Sequence, residues 1–168
     1  MILILSLLIS CNLNNSKEFS SVTIKQIFSD SLSIRAIEPI AKDKIWFAAN
    51  NGRIGFIDNG SPKITNIKYE DILLNFRAIA VIKNAVFVLS IENPAVLYKI
   101  GFDGNVATNI EEVYVEKGAY VFYDAIKFWD DKEGIAMGDP TDDCLSIIIT
   151  RDGGNTWKKL SCDNLPKT

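Results

Sequence analysis

No histidine occurs anywhere in the 168 residues. This excludes Ser-His-Asp and Cys-His nucleophilic catalysis and removes the commonest ligand of transition metals. Cysteine is scarce too. Cys11, Cys144 and Cys162 are too few to assemble a zinc cluster, so no metal site is expected. No Gly-rich phosphate or dinucleotide fingerprint is present, so no cofactor is expected and a redox enzyme finds no support. Helical periodicity is missing, since no segment of useful length carries an apolar i, i+3, i+4 stripe. Positive charge is not in excess. The net charge of −3 and a pI near 5.0 argue against nucleic acid or an anionic membrane surface as a partner. The apolar run that opens the chain, from Met1 to Ile9, is too short to span a bilayer as a mature helix.

What is present begins with that opening run. It fits a secretory hydrophobic region ending at a cleavage site, with residues 1–10 as signal peptide. Leu8-Ile9-Ser10-Cys11 resembles the bacterial lipobox, although no Lys or Arg precedes the run. The resemblance implies cleavage before Cys11, acylation of its thiol, and a membrane-anchored lipoprotein of the bacterial cell envelope. Several acyl chains on one residue anchor stably where one would not. The other reading of the run is an uncleaved buried strand. On the lipobox reading, residues 11–20 are the lipidated Cys and a polar tether. Alternation of Val22, Ile24 and Ile27 with polar residues predicts a strand over 21–28.

The most informative stretch lies near the other end: Thr150-Arg151-Asp152-Gly153-Gly154-Asn155-Thr156-Trp157. The β-branched run Ile147-Ile148-Ile149 precedes it, and the turn residues tolerate positive φ, so a β-hairpin is predicted. Asp152 can accept hydrogen bonds from the turn amides that follow it. The Thr150 and Thr156 hydroxyls can tie the strand ends together, and Trp157 buries a ring beneath the turn. The order Thr-x-Asp-x-Gly-x-Thr-Trp is similar to the Asp-box, or bacterial neuraminidase repeat. Thr150, Asp152, Gly154, Thr156 and Trp157 fill its positions. The resemblance points to the Asp-box β-propellers: sialidases, sortilin-like receptors and the photosystem II assembly-factor type. In these families the box is a structural staple remote from the active face, so Asp152 is expected to be structural.

Weaker copies lie upstream. Ile34-Arg35-Ala36-Ile37 recurs as Phe76-Arg77-Ala78-Ile79 and as Tyr123-Asp124-Ala125-Ile126, each followed by three further apolar runs. The fourth runs are Ile64 to Tyr69, Val106 to Val113 and Trp157 to Leu160. Four strands per repeat of this length indicate propeller blades. The expected fold is therefore an all-β partial propeller over 21–168. It has four-stranded antiparallel blades at about 31–69, 75–114 and 122–162, behind the leading strand. Propellers close with four to eight blades. Three leave the ring incomplete, which implies either the N-terminal part of a longer protein or a ring closed by several chains.

Two further features bear on chemistry. With Thr150 opposite Trp157, Cys144 and Cys162 fall within one residue of facing each other, close enough for a disulfide; two buried free thiols are the alternative. Arg35, Arg77 and Asp124 hold one position in three successive repeats, at the start of the strand that lines a propeller's channel. They are the ligand candidates, with ion pairing to neighbouring blades as their structural alternative. Phe76-Arg77-Ala78-Ile79 is loosely similar to a sialidase Phe-Arg-Ile-Pro stretch whose arginine binds the substrate carboxylate, but the remaining sialidase groups cannot be placed. No catalytic residue is assigned, and enzyme activity of this chain alone is uncertain. Gly138 to Asp143 and Asp130-Asp131 match no calcium-loop spacing and read as solvated turns. Trp46, Trp129 and Tyr120 to Tyr123 read as packing between blades. The expected function is a lipid-anchored envelope scaffold that binds a protein or glycan at the propeller face. The alternative is a sialidase-like glycoside hydrolase or an inactive fragment of one.

Overall fold

The computed structural model describes residues 20–26, 31–91, 93–104, 106–141 and 143–165. The expected signal peptide, Cys11 and residues 12–19 of the tether lie outside these residues, as does the end of the expected leading strand. Among the described residues, twelve strands form three four-stranded antiparallel sheets, each in simple up-and-down order. The first holds β1 (Ile34–Ala41), β2 (Lys44–Ala49), β3 (Arg53–Asp58) and β4 (Ser61–Asn66). The second holds β5 (Phe76–Ile82), β6 (Ala85–Ser90), β7 (Ala95–Asp103) and β8 (Val106–Glu116). The third holds β9 (Tyr123–Phe128), β10 (Gly134–Thr141), β11 (Cys144–Thr150) and β12 (Lys158–Lys159), and a 3-10 turn follows at Cys162–Asn164. This is the all-β, four-strand repeat expected from the sequence, with its ring unclosed.

Local chemistry explains the hairpins. Asn51-Gly52 closes β2 to β3 and Asn59-Gly60 closes β3 to β4, all four residues at positive φ. Such two-residue turns match the twist of the strands they join. The second turn sets the start of β4 at Ser61, earlier than the Ile64 expected from the apolar pattern. Pro62 is tolerated because β4 is the outer edge of its sheet.

The sheets stack face to face through two apolar layers. Trp46, Ala48, Ile54 and Phe56 of the first sheet pack against Ile79, Val86, Val88 and Tyr98 of the second. The opposite face of the second sheet, with Ala80, Phe87, Leu89 and Leu97, packs against Tyr123, Ile126, Ala136 and Ile148 of the third. The second sheet is thus covered on both sides, and every residue of β6 is buried. That is why its sequence is a continuous apolar run and not an alternating one.

Three expectations are corrected. Residues 20–26 form no strand, and Val22 and Ile24 are 83% and 92% exposed. Alternation makes a strand only where a sheet edge accepts its hydrogen bonds, and no described strand pairs with this segment. Of the aromatic residues read as packing between blades, Trp46 is buried, but Trp129 and Tyr120 are 70% and 79% exposed. Trp129 lies with Ile149 and Arg151 on the side of the third sheet that faces no further sheet among the described residues. The outer strand of the third sheet is only two residues long, shorter than the run from Trp157 to Leu160. Beyond it, Leu160 N–H donates to Ile147 O, and a disulfide joins Cys144 to Cys162 with Cα atoms 5.5 Å apart. The cross-link takes over where the ladder stops, and a loop of this size contributes about 3 kcal/mol.

Candidate functional site

The inner strands lie side by side, β1 beside β5 and β5 beside β9. Each carries the same irregularity at its start. Ile34 pairs with Ala49 and Ala36 with Ala48, so Arg35 is an extra residue. Phe76 pairs with Ser90 and Ala78 with Leu89, which makes Arg77 extra. Tyr123 pairs with Gly138 and Ala125 with Met137, which makes Asp124 extra. Three equivalent β-bulges therefore present the three candidate side chains. A bulge re-aims a side chain that a regular ladder would place on one face or the other. Gly138 fits opposite the third bulge because a Cβ there would lie 1.9 Å from Phe122 O.

The bulges bring the three side chains to one open cavity of about 530 Å³. Arg77 Nε meets Asp124 Oδ1 at 2.7 Å, and the Arg77 guanidinium lies 5.7 Å from the centre of the Phe122 ring. The contact is an ion pair without hydrogen-bond alignment: Asp124 Oδ1 has no hydrogen-bond partner, and no hydrogen bond of Arg77 occurs among the described residues. Arg35 is exposed and has no ion-pair partner among them. A second cavity of about 240 Å³ adjoins the first and shares Arg35 and Arg77. Asn50 and Asn75 line it, and their Oδ1 atoms accept Ser33 N–H at 3.0 Å and Asn51 N–H at 3.4 Å. Those bonds fix each amide with its Nδ2 donors unengaged among the described residues. The Ser33 and Asn75 carbonyls are already occupied by Asn50 N–H and Ile91 N–H. The mouth is therefore rich in donors, and the Asp124 carboxylate, whose Oδ1 has no hydrogen-bond partner, is its free acceptor. Further along the inner strands, Lys127 Nζ reaches Glu38 Oε1 at 3.5 Å, an ion pair from β9 to β1 across β5.

Sequence reasoning missed Asn50 and Asn75, and read Phe122 as packing between blades where it flanks Arg77. Asn75 and Phe122 each stand immediately before an inner strand, as Ser33 does, so the repeat held the signal. Asn50 read as part of an Asn-Gly turn.

The segment 150–157 lies elsewhere, at the seam between the second and third sheets. Asp152 Oδ1 accepts from the Thr150 hydroxyl at 2.9 Å and from the backbone N–H of Asn155 and Thr156 at 3.0 Å each. Its Oδ2 accepts from the Thr156 hydroxyl at 2.6 Å. The two threonines are thus joined through the carboxylate. Hydrogen bonds from Thr156, hydroxyl first and N–H second, hold the Asp152 carboxyl down at about 2. The turn is also gripped from outside. Lys99 Nζ donates to Gly153 O at 2.9 Å and to Asn155 Oδ1 at 2.6 Å, and Gly154 lies flat on the Phe87 ring. Trp157 is half-buried beside Phe87 and Phe128.

A second hub joins the same sheets. Glu116 Oε2 accepts from the Tyr114 hydroxyl at 2.6 Å and the Tyr123 hydroxyl at 2.8 Å, and Oε1 accepts from Lys159. Burial works to raise the Glu116 carboxyl, but the bonds from Lys159, Tyr114 and Tyr123 outweigh it and leave it below its ordinary value. Both phenols are pushed well above theirs, by burial first. A phenol so raised and so enclosed is a poor nucleophile.

A cavity of about 410 Å³ opens beside Trp129, Glu133, Ile149 and Arg151. The register explains it. Trp46 pairs with Phe56, Phe87 with Lys99 and Ile135 with Ile149, so Ile149 occupies the place of two residues that meet the following sheet. This is the stacking face of the third sheet. Of the stretch read as a solvated acidic turn, Gly138 to Thr141 instead end strand β10, where Asp139 N–H donates to Phe122 O; Asp130 Oδ1 caps the N–H groups of Lys132 and Glu133, and Asp142 lies outside the described residues.

No family model and no curated relative matches this chain. Solved structures do. One described as "YCF48 bound to D1 peptide" aligns with a TM-score of 0.59 at 14% identity, over 77% of this chain and 39% of that one. Another, YCF48 from Cyanidioschyzon merolae, aligns with a TM-score of 0.52 at 17% identity, over 76% of this chain and 40% of that one. The fold is propeller-type. At these identities the likeness concerns the fold alone, and the chain spans about two fifths of the length of either structure.

Proposed function

We propose that this chain is a non-catalytic binding scaffold that holds a protein segment at the mouth formed by Arg35, Arg77 and Asp124. The observation that carries the reading is the threefold bulge. Three blades spend a local irregularity on presenting charged groups at one end of the inner strands, where a ligand has access. A YCF48 structure of the same fold type has a D1 peptide bound, which favours a peptide over a small molecule as the ligand here. One carboxylate lines the larger cavity, whereas glycoside hydrolysis ordinarily works with two, so the hydrolase reading is the weaker. The bonds of the Asp152 carboxylate to the Thr150 and Thr156 hydroxyls support reading 150–157 as an Asp-box staple. Following Leu8-Ile9-Ser10-Cys11, the scaffold is exported and tethered to the bacterial cell envelope through a lipid on Cys11.

The test is selection of a displayed random peptide library on the immobilised chain, with Arg35→Gln/Arg77→Gln as counter-target. Peptides that bind the parent at least tenfold better than the variant are expected. A selection that yields no binder, or binders indifferent to both substitutions, overturns the assignment of the mouth.

A further inference from the structure

We infer that Asn50 and Asn75 read the main chain of the bound segment, each giving an Nδ2 hydrogen to one of its backbone carbonyls. This deepens the reading above and rests on it.

The repeat separates what the fold requires at these places from what it does not. Each sheet closes the mouth end of its first two strands with one backbone bond. Asn50 N–H donates to Ser33 O at 3.1 Å, Ile91 N–H to Asn75 O at 3.2 Å, and Asp139 N–H to Phe122 O at 2.9 Å. The side chains differ in every copy. Ser33, Asn75 and Phe122 fill the accepting place, and Asn50, Ile91 and Asp139 fill the donating one. A bond between backbone groups forms whatever side chain is attached, so the fold asks for an amide at neither place.

The Oδ1 atoms of the two amides accept Ser33 N–H and Asn51 N–H. An aspartate would accept the same bonds, and Arg35 and Arg77, which line the same cavity, would favour its charge. The third copy of the donating place does hold Asp139. What asparagine adds to aspartate is the Nδ2 group, whose hydrogens have no acceptor among the described residues. Asn50 belongs to the first sheet and Asn75 to the second, and both line the cavity of about 240 Å³.

Uncommitted neutral donors on two sides of one cavity fit a ligand with repeated neutral acceptors. An extended peptide has them, because its carbonyls return to the same edge at every second residue. Its N–H groups need an acceptor in turn, and the Asp124 carboxylate in the adjoining cavity supplies one. A main chain is common to all sequences. The amides therefore supply affinity without sequence preference, and preference is left to the charged side chains on the bulges.

The experiment follows the side-chain NH2 signals of Asn50 and Asn75 by NMR, with the other asparagines as internal reference. The titrant is Ac-Gly-Ala-Gly-Ala-Gly-NH2, which offers a main chain and carries neither charge nor a large side chain. The Asn50 and Asn75 signals are expected to move and the reference signals to stay. Asn50→Asp and Asn75→Asp keep the Oδ1 bonds and remove the donors. Each is expected to weaken binding of this uncharged titrant about two- to tenfold, the effect of one hydrogen bond. Titration of the parent decides alone if an Asp variant loses its dispersed spectrum. Unchanged binding by both Asp variants makes the amides loop caps only and overturns the inference. No movement of either signal, alongside library binders that need Arg35 and Arg77, overturns it while the mouth stands. No movement and no such binders removes the functional reading itself.

Discussion

Gly154 offers the sharpest test of how the third sheet is locked to the second. It sits at φ +73°, and an added Cβ would lie 2.3 Å from Phe87 Cε1 and 2.4 Å from Cζ. Phe87 cannot yield easily. It is fully buried, its ring centre lies 4.6 Å from that of Phe128, and Trp157 packs edge-on at 6.2 Å. Gly154→Ala therefore adds two penalties, about 1 kcal/mol for a left-handed backbone and about 1–3 kcal/mol for overpacking a filled core. The sum, about 2–4 kcal/mol, is a large part of the margin of an ordinary domain. Tryptophan fluorescence in urea should show the midpoint falling by about 1–2 M with an unchanged slope. Gly104→Ala is the internal control. Its φ is +62° but nothing lies within 4 Å of the added Cβ, so only the backbone term of about 1 kcal/mol applies. Phe87→Leu should remove part of the clash, so the double variant should lose less than the two single losses together. Equal losses for Gly154→Ala and Gly104→Ala would refute the claim that the turn is seated on the ring.

Two other predictions concern the carboxylates at the same seam. Glu116→Gln should cost about 2–4 kcal/mol in urea unfolding, below the full effect of breaking a buried pair because Lys159 is partly exposed, and Tyr123→Phe about 1 kcal/mol; a loss under 1 kcal/mol for Glu116→Gln would mean that the hub is decorative. Its carboxyl is lowered from 4.5, so its stabilisation is complete above that value and is lost as pH falls through the lower folded one. Asp152 behaves likewise, with a contribution complete above 3.8 and lost as pH falls through about 2. Asp152→Asn should flatten the acid limb of a stability–pH curve between those values, and an unchanged limb would count against the carboxylate staple.

The repeat of apolar runs, the Asn-Gly turns and the segment 150–157 were legible because each is encoded within a few neighbouring residues. Strand number per sheet, sheet number and the staple bonds of Asp152 follow from them. The shared position of Arg35, Arg77 and Asp124 was legible too, since it is a property of the repeat. What these residues do to one another was not. Whether Arg77 reaches Asp124 or Arg35 depends on how three bulges aim side chains from different sheets, and a bulge has no local signature in Ile34-Arg35-Ala36 or Tyr123-Asp124-Ala125. The same holds for Lys99 on the 153–155 turn and for Lys159 on Glu116. Each is a contact between residues tens of positions apart, fixed by how the sheets stack. The strand expected at 21–28, absent over the described residues 21–26, marks the limit from the other side: Val22 and Ile24 alternate correctly, but a strand needs an edge to pair with. Sequence by itself determined the blades and the staple, because backbone propensity, turn chemistry and apolar periodicity are short-range. Only the tertiary structure decided which charges meet at the mouth and which glycine lies on a ring, because those depend on distances across a packed interface.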